Sequence, residues 1–377
     1  MTRGGLRLAI LGSRGFPSTY GGYETLVRHL APWLVHAGHD VTVYCRTRDQ
    51  GRAEWITENV RCVASRGVDS NNLSTLSFGL TSATSAARRD FDAALVLNIA
   101  NGFYLPWLRL HGIPCAVNTD GIEWEREKWS AMARAVFRLG AQMTARFANT
   151  LVADSRVIGD VWKARYHVDS VFIPYGAHVR NENRHTRLAP LHLKRDRYLL
   201  VVARLIPENN VELIVEAARG VCTPDRPLVV VGSANSESAL ERHLLERQHD
   251  GTVVWLGHVS DQELLAQLWA HCAIYLHGHS VGGTNPALLQ ALGAGAPTLA
   301  LDTRFNREVV QLESHLFPHS AQALRARLRQ LLDDADARQE LRANGQEVVR
   351  TRYRWDDVCA RYESVLTALS ATRRRPT

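Results

Sequence analysis

The sequence predicts an α/β protein built from two doubly wound domains, and three observations carry that expectation. The chain has 377 residues, which at roughly 100–200 residues per domain leaves room for two. Short apolar segments alternate with stretches of helical periodicity through most of its length. The alternation pauses once, over a polar stretch at 181–197, and then restarts.

The elements follow in order. Leu6–Gly12 is apolar and reads as a strand, Ser13–Gly22 is a loop rich in glycine and proline, and Tyr23–Ala37 has the period of a helix. Gly38 and His39 stop that helix, and Asp40–Cys45 is the next strand. Further strands are expected at Ala93–Asn98, Pro114–Asn118, Thr150–Ala153 and Ser170–Ile173, with helices between them. This order implies a parallel sheet with right-handed crossovers. Residues 181–197 are charged and broken by Pro190, which suits a linker.

Beyond it, Tyr198–Ala203, Pro227–Gly232, Thr252–Leu256, Ala273–His277 and Pro297–Leu301 read as strands. Val211–Arg219, Ser236–Gln248, Asp261–His271 and Pro286–Gly293 read as the helices between them. Near the end, Trp355, Val358, Cys359, Tyr362, Val365, Leu366 and Leu369 share one helical stripe. A terminal helix of this kind can cross back onto the first domain. The domains so read are 1–185, with 354–371 packing back onto it, and 186–353.

Composition narrows the function classes. Hydrophobic residues at 45% and charged residues at 22% describe an ordinary globular chain, and no apolar run approaches the roughly 20 residues that cross a bilayer. The opening apolar run is too brief for a signal-peptide core. Six cysteines lie far apart, with no C-x-x-C pair, so buried thiols in a reducing cytoplasm fit better than a disulfide framework or a zinc site. Residues 1–196 hold 25 Lys and Arg against 17 Asp and Glu, and the remainder 20 against 21. The first half is therefore basic, as a phosphorylated ligand or an anionic membrane surface would favour. No nucleic-acid-binding signature accompanies the charge, so no nucleic-acid partner is expected.

Two segments could carry chemistry. His279-Ser280-Val281-Gly282-Gly283-Thr284-Asn285-Pro286 follows a strand and runs into a helix. Glycines admit close approach of backbone to ligand, Thr284 or Asn285 can cap, and Pro286 suits the first helical position. Free amides and the helix dipole there suit an anion such as diphosphate, although an ordinary capped turn has the same composition. Arg204 ends a strand in the same domain, at the carboxyl ends of the strands, where parallel sheets gather ligands. It can grip phosphate oxygens in two-pronged fashion or pair with Glu208.

Residues 198–310 resemble the donor domain of family-4 retaining glycosyltransferases. Pro207-Glu208-Asn209-Asn210, Gly282-Gly283-Thr284-Asn285-Pro286 and Phe305-Asn306-Arg307-Glu308-Val309 are similar to a bacterial rhamnosyltransferase subgroup. In the first half, Gly12–Pro17, Tyr20–Thr25 and Asn118–Trp124 with Lys128-Trp129 resemble that subgroup's acceptor-domain motifs. The resemblance implies the GT-B arrangement: two Rossmann-like domains facing a central cleft. It implies that Gly21 and Gly22 lie near the donor phosphate and the acceptor, and that Arg204 neutralises the departing diphosphate. Gly283, Thr284 and Asn285 would offer it backbone amides. Gln290 stands where relatives have a Glu that holds the ribose hydroxyls, with Glu308 a second candidate for that work.

Three positions depart from the broader pattern. Asn209 replaces a Lys, Gly282 replaces the first Glu of a pair, and Gln290 lacks the charge of the second. Asp120 would orient a sugar hydroxyl or cap the turn at Gly121, and Thr119 stands where many relatives have a His.

The implied reaction is transfer of a hexose with retention, L-rhamnose from dTDP-rhamnose, to a lipid-linked or polysaccharide-precursor sugar. Other nucleotide hexoses such as UDP-glucose or GDP-mannose, and a non-catalytic sugar-nucleotide-binding role, remain alternatives. No metal or other cofactor is expected, since no Asp-x-Asp pair ends a strand. Fixed donors aimed at the leaving diphosphate would supply most of the catalysis. A nicotinamide dehydrogenase is disfavoured, because the G-x-G-x-x-G turn is missing after the first strand.

The segment Arg126–Ala148 places Trp129, Met132, Val136, Met143 and Phe147 on one helical face, apart from Arg134, Arg138 and Arg146. Such a helix can lie on anionic lipid or pack in the core. A cytoplasmic protein, peripheral at the inner face of the membrane, is the corresponding expectation.

Overall fold

The computed structural model describes residues 5–17, 21–46, 53–68, 74–119, 121–122, 124, 130–234 and 239–373. Contacts divide the chain into two units: residues 1–175 with 355–377, and residues 176–354.

The first unit is built on an eight-stranded sheet. Its strands are β1 (Arg7–Leu11), β2 (Asp40–Arg46), β3 (Glu54–Thr57), β4 (Val60–Ser65), β5 (Ala93–Leu97), β6 (Cys115–Asn118), β7 (Thr150–Ala153) and β8 (Ser170–Phe172). They lie in the order β3-β4-β2-β1-β5-β6-β7-β8. All pair in parallel except the edge strand β3, which forms an antiparallel hairpin with β4. The two residues of that turn, Glu58 and Asn59, both take positive φ, as the tight hairpin geometry demands. Strand β5 is buried along its whole length, which is why it reads as a continuous apolar run.

The helices are α1 (Gly22–His36), α2 (Ser74–Ala87), α3 (Leu105–Leu110), α4 (Ala131–Phe147) and α5 (Arg156–Tyr166), with a 3-10 turn at Ile99–Tyr104 leading into α3. On α4 the stripe residues Val136, Met143 and Phe147 are half-buried, and the helix's inner side is taken by smaller ones. Its buried residues are Gly140, Ala141 and Thr144, whereas Met132 is 80% exposed and Arg138 and Arg146 lie open beside it. Trp129 lies outside the described residues. Small residues win the inner position because α4 presses on the 3-10 turn: a Cβ on Gly102 would collide with the Gly140 carbonyl.

The second unit has six parallel strands, β9 (Leu199–Val202), β10 (Leu228–Val231), β11 (Val253–Trp255), β12 (Ile274–His277), β13 (Thr298–Leu301) and β14 (Leu316–Phe317). Their order is β11-β10-β9-β12-β13-β14. The helices between and after them are α6 (Val211–Ala218), α7 (Ala239–Gln248), α8 (Gln262–His271), α9 (Pro286–Gly293), α10 (Arg304–Val310), α11 (Ala321–Asp333) and α12 (Ala335–Arg352). Successive strand residues feed opposite cores. Leu199, Val201, Val230 and Leu276 pack on one face, and Tyr198, Leu200, Val229 and Tyr275 on the other. Leu188 and Leu193, from the polar stretch read as a linker, are buried in that second cluster. At about 1.5–3 kcal/mol per buried side chain, they bind the stretch to this unit.

The last helix, α13 (Trp355–Ser370), returns to the first unit and packs on α1, β5 and β6. The apolar stripe is the reason: Trp355, Val358, Cys359, Tyr362, Leu366 and Leu369 are all buried. Trp355 stacks on His29 at 4.1 Å, and the Trp33 indole donates to Glu363 at 3.2 Å. Deepest lies a bond from the Asn118 side-chain amide to the Tyr362 hydroxyl, 2.6 Å long and fully buried. Tyr362→Phe removes that acceptor and should cost about 1–3 kcal/mol, read as a lowered denaturant midpoint. An unchanged midpoint would mean that apolar packing alone holds α13.

Candidate functional site

In the second unit the strand order reverses between β9 and β12. Strands to one side follow β9 in sequence, and those to the other side continue from β12. Loops diverge at such a point and leave a crevice at the carboxyl ends of the strands. Both segments singled out from the sequence lie there, because Arg204 follows β9 and His279–Asn285 follows β12.

After β9 the chain makes a tight 3-10 turn at Pro207–Asn209, and Asn210 takes a left-handed conformation at φ 50° before α6. Asn209 is buried, and its side-chain amide donates to the Arg204 carbonyl at 2.8 Å. The residue therefore shapes the turn that carries Arg204. Gly232 closes the crowding from behind. Its φ is +136°, and a Cβ there would run into the Ala203 carbonyl, so only glycine fits. After β12, Gly282 has φ 116°, again a glycine conformation. Asn285 caps α9, its side-chain oxygen accepting from the Ala287 N–H at 3.0 Å, and Pro286 opens the helix.

The two loops are stitched together. The Glu208 carbonyl accepts from both the backbone N–H and the hydroxyl of Ser280, each at 2.9 Å. The Asn210 amide donates to the Gly278 carbonyl at 2.8 Å. Behind them, buried Asn306 on α10 donates to the carbonyls of His279 and Leu301 at 2.9 and 2.8 Å. The end of β12 is also braced by aromatic packing, with His277 and His279 stacked at 4.2 Å and the Tyr275 hydroxyl 3.2 Å from His277 Nδ1. Burial holds the His277 imidazole well below its usual range, with His279 adding to the effect, so His277 is a neutral packing group. Burial likewise raises the Tyr275 phenol.

Several polar groups are left over on this frame. Arg204 is exposed and makes no ion pair among the described residues, so the pairing with Glu208 allowed by the sequence is not formed. Both Glu208 carboxylate oxygens are buried without a hydrogen-bond partner, an arrangement that needs a ligand or solvent to explain it. Sequence reasoning missed that group, having weighed Glu208 only as a mate for Arg204. The amides of Gly283 and Asn285 make no hydrogen bond among the described residues. Gln290 lies one turn into α9 with its side chain partly exposed. Thr284 is buried, and Glu308 sits on α10, its carbonyl accepting from Arg352 at 3.3 Å. A permanent cation and unpaired N–H groups at the ends of neighbouring strands can receive an anion with more than one acceptor atom.

In the first unit the order reverses between β1 and β5, and the loop after β1 leads to Gly21 and Gly22. Gly21 has φ 114° and precedes the first residue of α1, Gly22. The loop is fastened by Glu24, buried, which accepts from the Arg14 N–H at 2.8 Å. Asp120 lies outside the described residues. All six cysteines are buried and free. Among the described residues, no cluster of His, Cys, Asp and Glu could hold a metal ion, and no helix is long and apolar enough to cross a membrane.

The stitch itself is testable. A Cβ on Gly278 would collide with the Asn209 carbonyl and meet Ile214 at 3.0 Å. Gly278→Ala should therefore part the loops, destabilise by about 1–3 kcal/mol as overpacking does, and weaken the binding of an anion such as pyrophosphate at the crevice. A variant with wild-type unfolding and wild-type affinity would show that the loops need not touch.

Comparison with known proteins agrees with this architecture. Residues 21–176 match the profile of the Glycosyl transferase 4-like domain, and residues 184–348 that of Glycosyl transferases group 1. Among curated proteins no sequence match is found. Sucrose-phosphate synthase from Thermosynechococcus elongatus has a similar structure at TM-score 0.82 and 18% identity, over 97% of this chain and 100% of that one. HepE from Anabaena, solved with UDP and glucose, gives 0.76 at 16% identity over 96% and 100%. The catalytic domain of starch synthase IV from Arabidopsis thaliana, bound to ADP and acarbose, gives 0.76 at 12% identity over 97% and 100%. With two glycosyltransferase profiles matched in succession and neighbours of this fold along nearly its whole length, the chain belongs to the GT-B glycosyltransferases.

Proposed function

We propose that the protein transfers a hexose from a nucleoside-diphosphate sugar to a lipid-linked or polysaccharide-precursor sugar, with retention and without an essential metal. The observation that carries this reading is Arg204, exposed and without an ion pair among the described residues, at the end of β9, with the Gly283 and Asn285 amides, unbonded among the described residues, in the loop after the neighbouring strand β12. As the glycosidic bond breaks, the diphosphate gains negative charge, and donors already in place for that charge lower the barrier. Arg204 takes the leaving-group role, and Gly283, Thr284 and Asn285 supply backbone donors. Asn209 positions Arg204 through its carbonyl. Gln290 and Glu308 serve the nucleoside, and Gly21, Gly22 and Asp120 serve the acceptor and the transferred sugar. Neutral Gln290 grips a ribose hydroxyl more weakly than a carboxylate would.

The donor proposed is dTDP-rhamnose, on the likeness of Pro207–Asn210, Gly282–Pro286 and Phe305–Val309 to the rhamnosyltransferase subgroup. A second reading, transfer of glucose from UDP-glucose, is favoured by HepE, which has been solved in complex with that donor. The acceptor is proposed to be met at an anionic membrane surface, in keeping with the basic first half. Six buried free cysteines suit a reducing compartment.

Thermal unfolding in the presence of dTDP, UDP, GDP and their sugars tests the donor. The true nucleotide at a hundred times its Kd should stabilise by about 2.7 kcal/mol, and stabilisation by none would contradict the reading. Arg204→Ala should lower turnover by about a hundred-fold or more while the unfolding midpoint is kept; near-normal turnover would remove Arg204 from the leaving-group role. Gln290→Glu separates a working site, whose transfer changes little, from a degenerate one, whose transfer rises steeply.

A further inference from the structure

In the first unit, α3 packs between α2 and α4, and right-handed crossovers place all three on one side of the sheet. The outer surface of this layer is unusual in two respects. Five of its large apolar side chains are open to solvent while Phe78, Leu105 and Leu108 face the core: Leu80 on α2 is 54% exposed, Trp107 and Leu110 on α3 are 46% and 77%, and Met132 and Leu139 on α4 are 80% and 50%. On α4, Gly140, Ala141 and Thr144 take the inner side, and Met132 and Leu139 are left to solvent. The second respect is charge. Across Ser74–Ala87, Ile99–Leu110 and Ala131–Phe147 there are four arginines and no aspartate, glutamate or lysine. Arg109, Arg138 and Arg146 are exposed among the apolar groups.

A water-facing helical layer ordinarily mixes both signs of charge and scatters its apolar residues. Exposed Trp, Leu and Met framed by arginine alone match a bilayer with anionic headgroups, where the apolar groups enter the acyl boundary and each arginine meets lipid phosphate. The geometry points to the outer face of α2, α3 and α4 as the surface by which this protein sits on an anionic membrane. The inference deepens the proposed lipid-linked acceptor by naming the face and the residues, and it rests on that reading only for its purpose. The complementarity itself holds whether or not transfer occurs.

Co-sedimentation of the full chain with phosphatidylcholine vesicles, with and without 30% phosphatidylglycerol as a representative anionic fraction (roughly that of a charged leaflet), reads the surface directly. Binding is expected only with the anionic lipid and should fall as salt is raised. The Arg109→Gln, Arg138→Gln variant should bind roughly 25-fold more weakly, and the Trp107→Ser, Leu110→Ser variant roughly ten-fold or more. All four positions are exposed, so both variants should keep the wild-type unfolding midpoint and the same stabilisation by sugar nucleotide. No binding by the wild type, or full binding by both variants, overturns the inference. So does a wild-type dimer in sedimentation that these substitutions dissociate while vesicles remain unbound, since the face would then belong to a second copy. Nucleotide stabilisation without vesicle binding would sink this surface alone, and vesicle binding without nucleotide stabilisation would sink the transferase reading alone.

Discussion

The second unit depends on one short joint, the Glu208 carbonyl that accepts from both the N–H and the hydroxyl of Ser280. It lies where the sheet reverses its order, the place at which loops from β9 and β12 would otherwise diverge. By tying the Pro207–Asn209 turn to the glycine loop, it fixes a guanidinium and a set of backbone amides on one frame. Preorganisation of that kind matters because donors that must move during reaction give back much of what they contribute. Gly278 and Gly232 make the joint possible, as backbone passes each too closely for any side chain.

Much of this architecture was legible in the sequence. Parallel strands buried on both faces read as apolar runs, so the strands from β5 to β13 could be placed from hydrophobicity and the turns between them. That Arg204 and the glycine turn each end a strand of one sheet was legible too, whereas the reversal of strand order between those strands needed the structure. Other features were hidden for physical reasons. The β3–β4 hairpin turns on Glu58 and Asn59 in left-handed conformations, and glutamate is a poor sign of such a turn. Leu188 and Leu193 sit in a charged stretch, and their burial comes from α8 and its neighbours rather than from local pattern. The stripe on α4 left lipid and core both open, because periodicity groups large apolar residues without saying what they meet; the close approach to the 3-10 turn reserves the fully buried side for Gly140 and Ala141.

The residues of the candidate site could be named from the sequence, but their pairings could not. Nothing in the order of amino acids distinguishes an Arg204 bound to Glu208 from one left open, and the difference decides whether the charge is available to a ligand. The same holds for Asn209. Sequence position places it beside the leaving group, while the structure turns its amide inward to the Arg204 carbonyl. Glu208 then emerges as a residue of interest only in three dimensions, with a buried carboxylate lacking a partner. The first unit has a differently made loop at its own reversal point, fastened by Glu24 and opened by Gly21.

The proposed function rests on one electrostatic contact, that of a donor's diphosphate with Arg204 and the amides beyond Gly282. A crystal structure with a bound nucleoside diphosphate measures this most directly. Phosphate oxygens about 3 Å from the Arg204 guanidinium and from the N–H groups of Gly283 and Asn285 are the predicted result. Phosphates bound elsewhere, with Arg204 still facing solvent, would contradict the account.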